Sequence, residues 1–180
     1  MRFFSKLFGL KRADMKDAAL IYAKTMKQSR QPMFYASGFF RDNYDGRIDC
    51  LTFHLTIIMK RLREFGENGQ ILSQSIFDTL RDDFEVALRE EGLSDKGVAK
   101  RIKPMIQLFY DRLKAYDNAL DQGELSQIIA TKLEIDSDSQ EGVMLGRYGK
   151  QFSNTLAGCN LGEIARGNFN FPILENLNLQ

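Results

Sequence analysis

Apolar positions along the chain recur at intervals of three and four, and almost nowhere at the interval of two that a half-buried strand requires. Ile48, Leu51, Leu55, Ile58, Leu62 and Phe65 form the clearest series and predict an amphipathic helix that Gly66 stops. Ile76, Leu80, Phe84 and Leu88 predict the next helix, ending near Gly92. Val98, Ile102, Met105, Phe109, Leu113, Tyr116 and Leu120 predict a long one of about 23 residues, kinked or begun at Pro104. Upstream, Ala18, Ile21, Tyr22 and Met26 line one face of a helix that Asp14 is placed to cap and that runs to about Ser29. Pro32 stands where a helix can restart, because proline lacks only an amide that the first turn does not use. Phe39 to Arg47 reads as a loop with Asp45-Gly46 as its turn. Two shorter helices are predicted at Glu124–Leu133 and Val143–Leu156, with a polar loop at Asp136–Gln140 between them. The Asn-rich stretch after Gly167 reads as a tail that ends the packed region. The expectation is an all-α chain, one domain of about six to eight helices. A basic apolar segment occupies 1–12, the helical body 13–172 and a tail 173–180.

Composition narrows the class without giving the chemistry. A chain of 180 residues, 43% hydrophobic and 27% charged, has the makeup of one globular domain with a sizeable core. Cys50 and Cys159 are too few for a disulfide scaffold. No apolar run approaches the roughly 20 residues that span a bilayer. The net charge of +1 hides an asymmetry: residues 1–30 hold eight Lys/Arg against two Asp/Glu, so the rest of the chain is acidic. In the first dozen residues Phe3, Phe4, Leu7, Phe8 and Lys11 keep a helical period, with Arg2, Lys6 and Arg12 nearby. The segment lacks the continuous apolar core and small-residue cleavage site of a secretory signal. It combines bulky apolar and basic residues as an interfacial segment does, and Phe3, Phe4, Lys6, Leu7 and Phe8 are the expected membrane contacts. The competing reading is a short helix whose phenylalanines pack on the body, or a frayed terminus.

Catalytic and metal chemistry find little support. His54 is the single histidine, and no CxxC, HExxH or GxSxG occurs. A zinc site needs three or four soft or imidazole ligands, so no metal and no cofactor are expected. Cys50 and His54 fall one helical turn apart, but both flank an apolar stripe and read as core members rather than nucleophile and base. Gly142, Gly146 and Gly149 sit in a helical context after no strand, and do not make a phosphate loop. Two polar groupings remain. Asp45-Gly46-Arg47-Ile48-Asp49 precedes an apolar helix, with Asp45 as the expected cap and Arg47 as a partner for either carboxylate. Lys96, Lys100 and Lys103, with Arg101 beside them, put a basic face on the long helix. Such a face can hold phosphate, RNA or an acidic protein, or can simply be solvated.

Arg30-Gln-Pro32-Met-Phe34-Tyr35, followed by Asp45-Gly46-Arg47-Ile48-Asp49 and His54, resembles the ubiquinol–cytochrome c chaperone family. The resemblance continues through Phe77-Asp78, Leu88-Arg89-Glu90, Gly92, Asp95, Lys100-Arg101, Lys103, Phe109-Tyr110, Arg112 and Ala115-Tyr116 to Gly167 and Phe171-Pro172. It departs where the family has a Val-Pro step before the Asp-Gly-Arg turn and this chain has Phe39-Phe40-Arg41, and where Asp111 follows the Phe-Tyr pair. The resemblance implies an all-helical, non-enzymatic assembly factor for the cytochrome bc1 complex. It implies as partners cytochrome b or another bc1 subunit, a small partner protein, the ribosome and the inner membrane surface. Arg30, Pro32, Phe34, Tyr35, Asp45, Gly46, Arg47 and Asp49 are the expected partner-binding residues. Because the chain starts some fifteen residues before the matching region, a bacterial protein is expected, cytoplasmic and peripheral to the inner membrane. Two alternatives stand beside this reading: an RNA- or ribosome-binding module using the Lys96–Lys103 face, and a lipid- or quinone-binding helical protein. An exposed apolar groove favours the chaperone, a continuous basic face the second reading, an enclosed apolar pocket the third.

Overall fold

The structure is a computed structural model that describes residues 2–128 and 140–173, with side chains for 14–128 and 141–173. Among them are seven helices and no strand: α1 (Arg2–Ser29), α2 (Met33–Ala36), α3 (Tyr44–Arg63), α4 (Gly66–Glu90), α5 (Asp95–Gln122), α6 (Gln140–Ala157) and α7 (Leu161–Ala165). Residues 125–128 are also helical, and the remainder of the helix expected at Glu124–Leu133 lies outside the described residues, as does most of the Asp136–Gln140 loop. No described helix is long and apolar enough to cross a membrane.

Helix α3 is the hub, packed by α1, α4, α5 and α6. Every residue from Ile48 to Ile58 is buried, so the predicted one-sided stripe is in fact a helix enclosed on all sides. Its polar residues are satisfied internally. Thr52 Oγ1 donates to the Ile48 carbonyl and Thr56 Oγ1 to that of Thr52, each at 2.7 Å. Helix α5 spans 28 residues, about 42 Å at 1.5 Å per residue, and is longer than the periodicity suggested because Ser94 caps it and its side chain accepts from the Gly97 amide. It runs on through Pro104 rather than starting there.

Three further expectations are corrected. Asp14 lies inside α1 and caps nothing, because the 3-4 apolar spacing continues through it from the first residues. Asn43, not Asp45, caps α3; its Oδ1 accepts from the Gly46 amide at 2.8 Å, and Asp45 sits in the first turn. The stretch after Gly167 does not leave the body. Phe169 is buried, and the Phe171 ring lies 4.8 Å from that of Phe152 and 5.7 Å from His54. Lys24 pins this strap, donating to the carbonyls of Gly167, at 2.6 Å, and Phe169. Its ammonium also lies 4.4 Å from the centre of the Phe169 ring.

Gly46 explains why α3 can begin where it does. A Cβ there would stand 2.1 Å from the Arg41 carbonyl oxygen, so only glycine lets the preceding loop cross the first turn. Gly46→Ala is expected to cost roughly 1–3 kcal/mol or more in a urea titration, since backbone rather than a side-chain tip must move. Gly146 and Gly149 serve a similar close approach: Cβ atoms there would meet Ser126 Oγ at 2.1 Å and Leu125 Cδ2 at 2.4 Å. Their spacing reflects helix packing against residues 125–126, not phosphate binding.

Candidate functional site: a groove at the α1–α2–α3–α4 junction

The Arg30–Tyr35 and Asp42–Arg47 segments meet. Phe34 anchors the first, fully buried, with its ring 5.1 Å from His54 and 5.5 Å from Tyr148 in edge-on contacts. The Phe40 amide then donates to the Phe34 carbonyl at 2.9 Å and folds the loop back. Tyr35 is held by its hydroxyl, which donates to the Ser29 carbonyl at 2.5 Å. Arg47 lies beyond it, its guanidinium 5.9 Å from the Tyr35 ring centre, and pairs with Asp42 through Nε at 2.9 Å and Nη2 at 2.8 Å. The carboxylate that Arg47 finds is thus neither Asp45 nor Asp49, because the Asn43 cap turns the loop so that Asp42 faces the start of α3.

An open groove of about 210 Å³ lies between these segments and α4. Met26, Ile48, Leu51, Phe84 and Ala87 supply its apolar walls, and Arg30, Tyr35 and Arg47 one rim. The same three residues also line an adjoining hollow of about 380 Å³ with Pro32, Ala36 and Asp42. The two are therefore one continuous surface, mainly apolar throughout, with Arg30 and Arg47 where they join and Asp42 on the far side of the second. Asp83 lies on the opposite wall and accepts from the Tyr22 hydroxyl at 2.7 Å. Burial and this carboxylate push the Tyr22 phenol well above its ordinary range, so it stays a donor.

The predicted partner-binding residues divide by exposure. Arg30, Pro32, Asp45 and Arg47 are exposed and Tyr35 is half-buried, whereas Phe34, Gly46 and Asp49 are buried and hold the fold. Asp49 takes the Arg112 Nε at 2.5 Å, an ion pair joining α3 to α5. Lys96, Lys100, Arg101 and Lys103 are all exposed on the first half of α5; none of them lines the groove, although Arg101 acts electrostatically on Tyr44, which does. Phe3, Phe4, Lys6, Leu7 and Phe8 belong to the helical backbone of α1, but their side chains lie outside those described. Sequence reasoning missed the α4 wall of the groove, since Asp83 and Ala87 lie outside the apolar Ile76–Leu88 series that defined this helix. The sequence signal available was the apolar pair Phe84 and Leu88, each adjacent to one of them in the chain.

Cys50 and His54 are both fully buried, as expected of core residues. His54 Nδ1 lies 2.7 Å from the Cys50 carbonyl, which can only accept, so Nδ1 carries the proton. Nε2 therefore accepts from the Tyr148 hydroxyl at 2.9 Å, which in turn accepts from Gln28 Nε2 at 3.2 Å. The Cys50 sulfur, 3.9 Å from Nδ1, faces a ring nitrogen that is already donating elsewhere. Burial raises the thiol pKa strongly, so this pair lacks both the thiolate and the free base that nucleophilic chemistry needs. Among the described residues, no group of three or more His, Cys, Asp or Glu side chains could hold a metal ion.

Comparison with known proteins identifies the fold. The chain is similar to the Cbp3 homolog from Brucella abortus, whose crystal structure superposes with a TM-score of 0.76 at 27% identity. The alignment covers 96% of this chain and 98% of that one. No curated protein sequence matches. The sequence model of the ubiquinol-cytochrome C chaperone family matches residues 40–171, from the loop before α3 through the Phe171 strap. The chain belongs to the ubiquinol-cytochrome C chaperone family.

Proposed function

We propose that the chain is a non-enzymatic assembly chaperone for the cytochrome bc1 complex, that newly made cytochrome b is its client, and that the groove at the α1–α4 junction receives an apolar part of that client. The observation that carries this reading is the family match over the helical body, residues 40–171. The groove supports it: it is open rather than enclosed and is walled mainly by apolar side chains, as a surface for an apolar segment must be. An enclosed cavity would have favoured a lipid or quinone ligand instead. The test is complementation of a strain lacking the protein. Wild type should restore assembled bc1 complex. Ala87→Trp, a change at an exposed position that fills the groove, should fold normally and fail to restore it. Full restoration by a folded Ala87→Trp protein would remove the groove from the function.

Residues 1–12 form the second element of the proposal, as the attachment to the inner membrane surface. The apolar and basic side chains of this segment supply burial plus about 1 kcal/mol per basic residue near an anionic surface. Deleting them is expected to weaken sedimentation with phosphatidylglycerol-containing vesicles. Added salt should weaken binding of the full chain in the same direction. Equal binding by full-length and truncated protein would exclude this role.

A further inference from the structure

The donors along the groove are not equally occupied. Arg47 spends its guanidinium on Asp42, at 2.8 and 2.9 Å, and Asp83 already accepts from Tyr22 at 2.7 Å. Arg30 is exposed, lines both the groove and the adjoining hollow, acts electrostatically on the Tyr22 hydroxyl across the groove, and makes no side-chain hydrogen bond or ion pair among the described residues. Of the two cations shared by the groove and the hollow, Arg30 and Arg47, it is the one not already paired with a carboxylate among the described residues.

We infer that Arg30 reads a carboxylate carried by an otherwise apolar protein segment, whose neighbouring side chain fills the groove between Met26, Ile48, Leu51 and Phe84. This rests on the reading of the groove as the client site. A planar guanidinium with five donors matches a carboxylate in a two-point contact, and the contact strengthens where apolar walls exclude water. Two carboxylates, Asp42 and Asp83, stand on the same surface. They oppose a dianionic phosphate or a dense anionic lipid surface, while a single carboxylate can use the one open fork. The volume of about 210 Å³ suits one or two apolar side chains rather than a whole helix. The occupant is therefore an amphipathic segment with an Asp or Glu next to a Leu- or Phe-type residue.

The test uses the full chain and two Leu- and Phe-rich helical peptides, alike except that one central Glu is replaced by Gln. Wild type should bind the Glu peptide about tenfold or more tightly than the Gln peptide, as a charge-assisted contact implies. Arg30→Gln should abolish that preference with an unchanged melting temperature, and Arg30→Lys should keep part of it, as a point charge without the fork. Ala87→Trp should weaken both peptides alike. Equal affinities in wild type, or an undiminished preference in Arg30→Gln, would overturn the carboxylate reading while leaving the groove in place. So would an Arg30→Gln protein that loses phosphatidylglycerol vesicles but not the peptides. If neither peptide binds, or Ala87→Trp binds both normally, the groove itself is not the client site.

Discussion

Arg112→Met is expected to destabilise the protein by up to roughly 3–5 kcal/mol, because it takes the Arg112 guanidinium away from the buried Asp49 carboxylate. The Asp49 side chain is only 7% exposed, and the Arg112 Nε meets it at 2.5 Å from a helix 63 residues away in sequence. The site is nearly closed to water, which separates this pair from the exposed Arg47–Asp42 contact, where both side chains are about 60% exposed and a loss of less than about 1 kcal/mol is expected. Combining Arg112→Met with Asp49→Asn should recover part of the loss, since a neutral amide leaves no buried charge. Urea unfolding of the single and double variants measures all three. A loss for Arg112→Met no larger than that for Arg47→Met would show that the ion pair does not brace α3 against α5.

Stability is also expected to fall steeply in mild acid. Burial holds the His54 imidazole neutral and lowers its pKa to about 4, against an ordinary value near 6.5. The unfolded chain takes up its proton as the pH drops through 6.5, whereas the folded chain resists until about pH 4. The unfolded state therefore binds more protons across that window, and acid favours it. The contribution is fully present above pH 6.5, shrinks by up to roughly 3 kcal/mol on the way to pH 4, and is used up below it. The flanking groups agree with a neutral ring: Tyr148 donates to it, the Cys50 thiol is held protonated, and Phe34, Phe53, Phe152 and Phe171 enclose it. His54→Gln should unfold more easily at neutral pH yet show a flatter stability profile between pH 6.5 and 4. An unchanged profile would mean that another group carries the acid sensitivity. The same residue tests the chemistry: a folded Cys50→Ala/His54→Gln protein should still support bc1 assembly, and its failure to do so would point to a chemical role for the pair.

Much of the helical layout was legible because spacing alone decides it. The Ile48–Leu62 part of the predicted series became α3, Phe65 instead precedes α4, and positive-φ glycines stand at the start of α4 (Gly66) and just beyond its end (Gly92). What was not legible depended on contacts between distant residues. Asp49 looked like a residue at home near a helix start, and only the fold reveals Arg112 opposite it. Asn43 and Asp45 both suit a cap, and the choice between them rests on the Arg41 backbone crossing at Gly46. The Asn-rich C-terminal stretch read as a tail because its anchor, Lys24, lies 143 residues upstream of Gly167. Helix α7 could have been found: Asn160 and Glu163 have the spacing of a capping box, and both of its hydrogen bonds form, at 3.0 and 2.8 Å. At the groove, the sequence marked the Arg30–Tyr35 and Asp45–Asp49 rims but not the α4 wall, which is defined only by packing.

Capture of the full chain from membranes that are making bc1 complex, with mass-spectrometric identification of what it holds, tests the central claim most directly. The expected result is newly made cytochrome b bound to wild type and lost from Ala87→Trp, with the variant's melting temperature unchanged. Recovery of no bc1 subunit by wild-type protein, in cells where bc1 complex is being assembled, would contradict the proposed function.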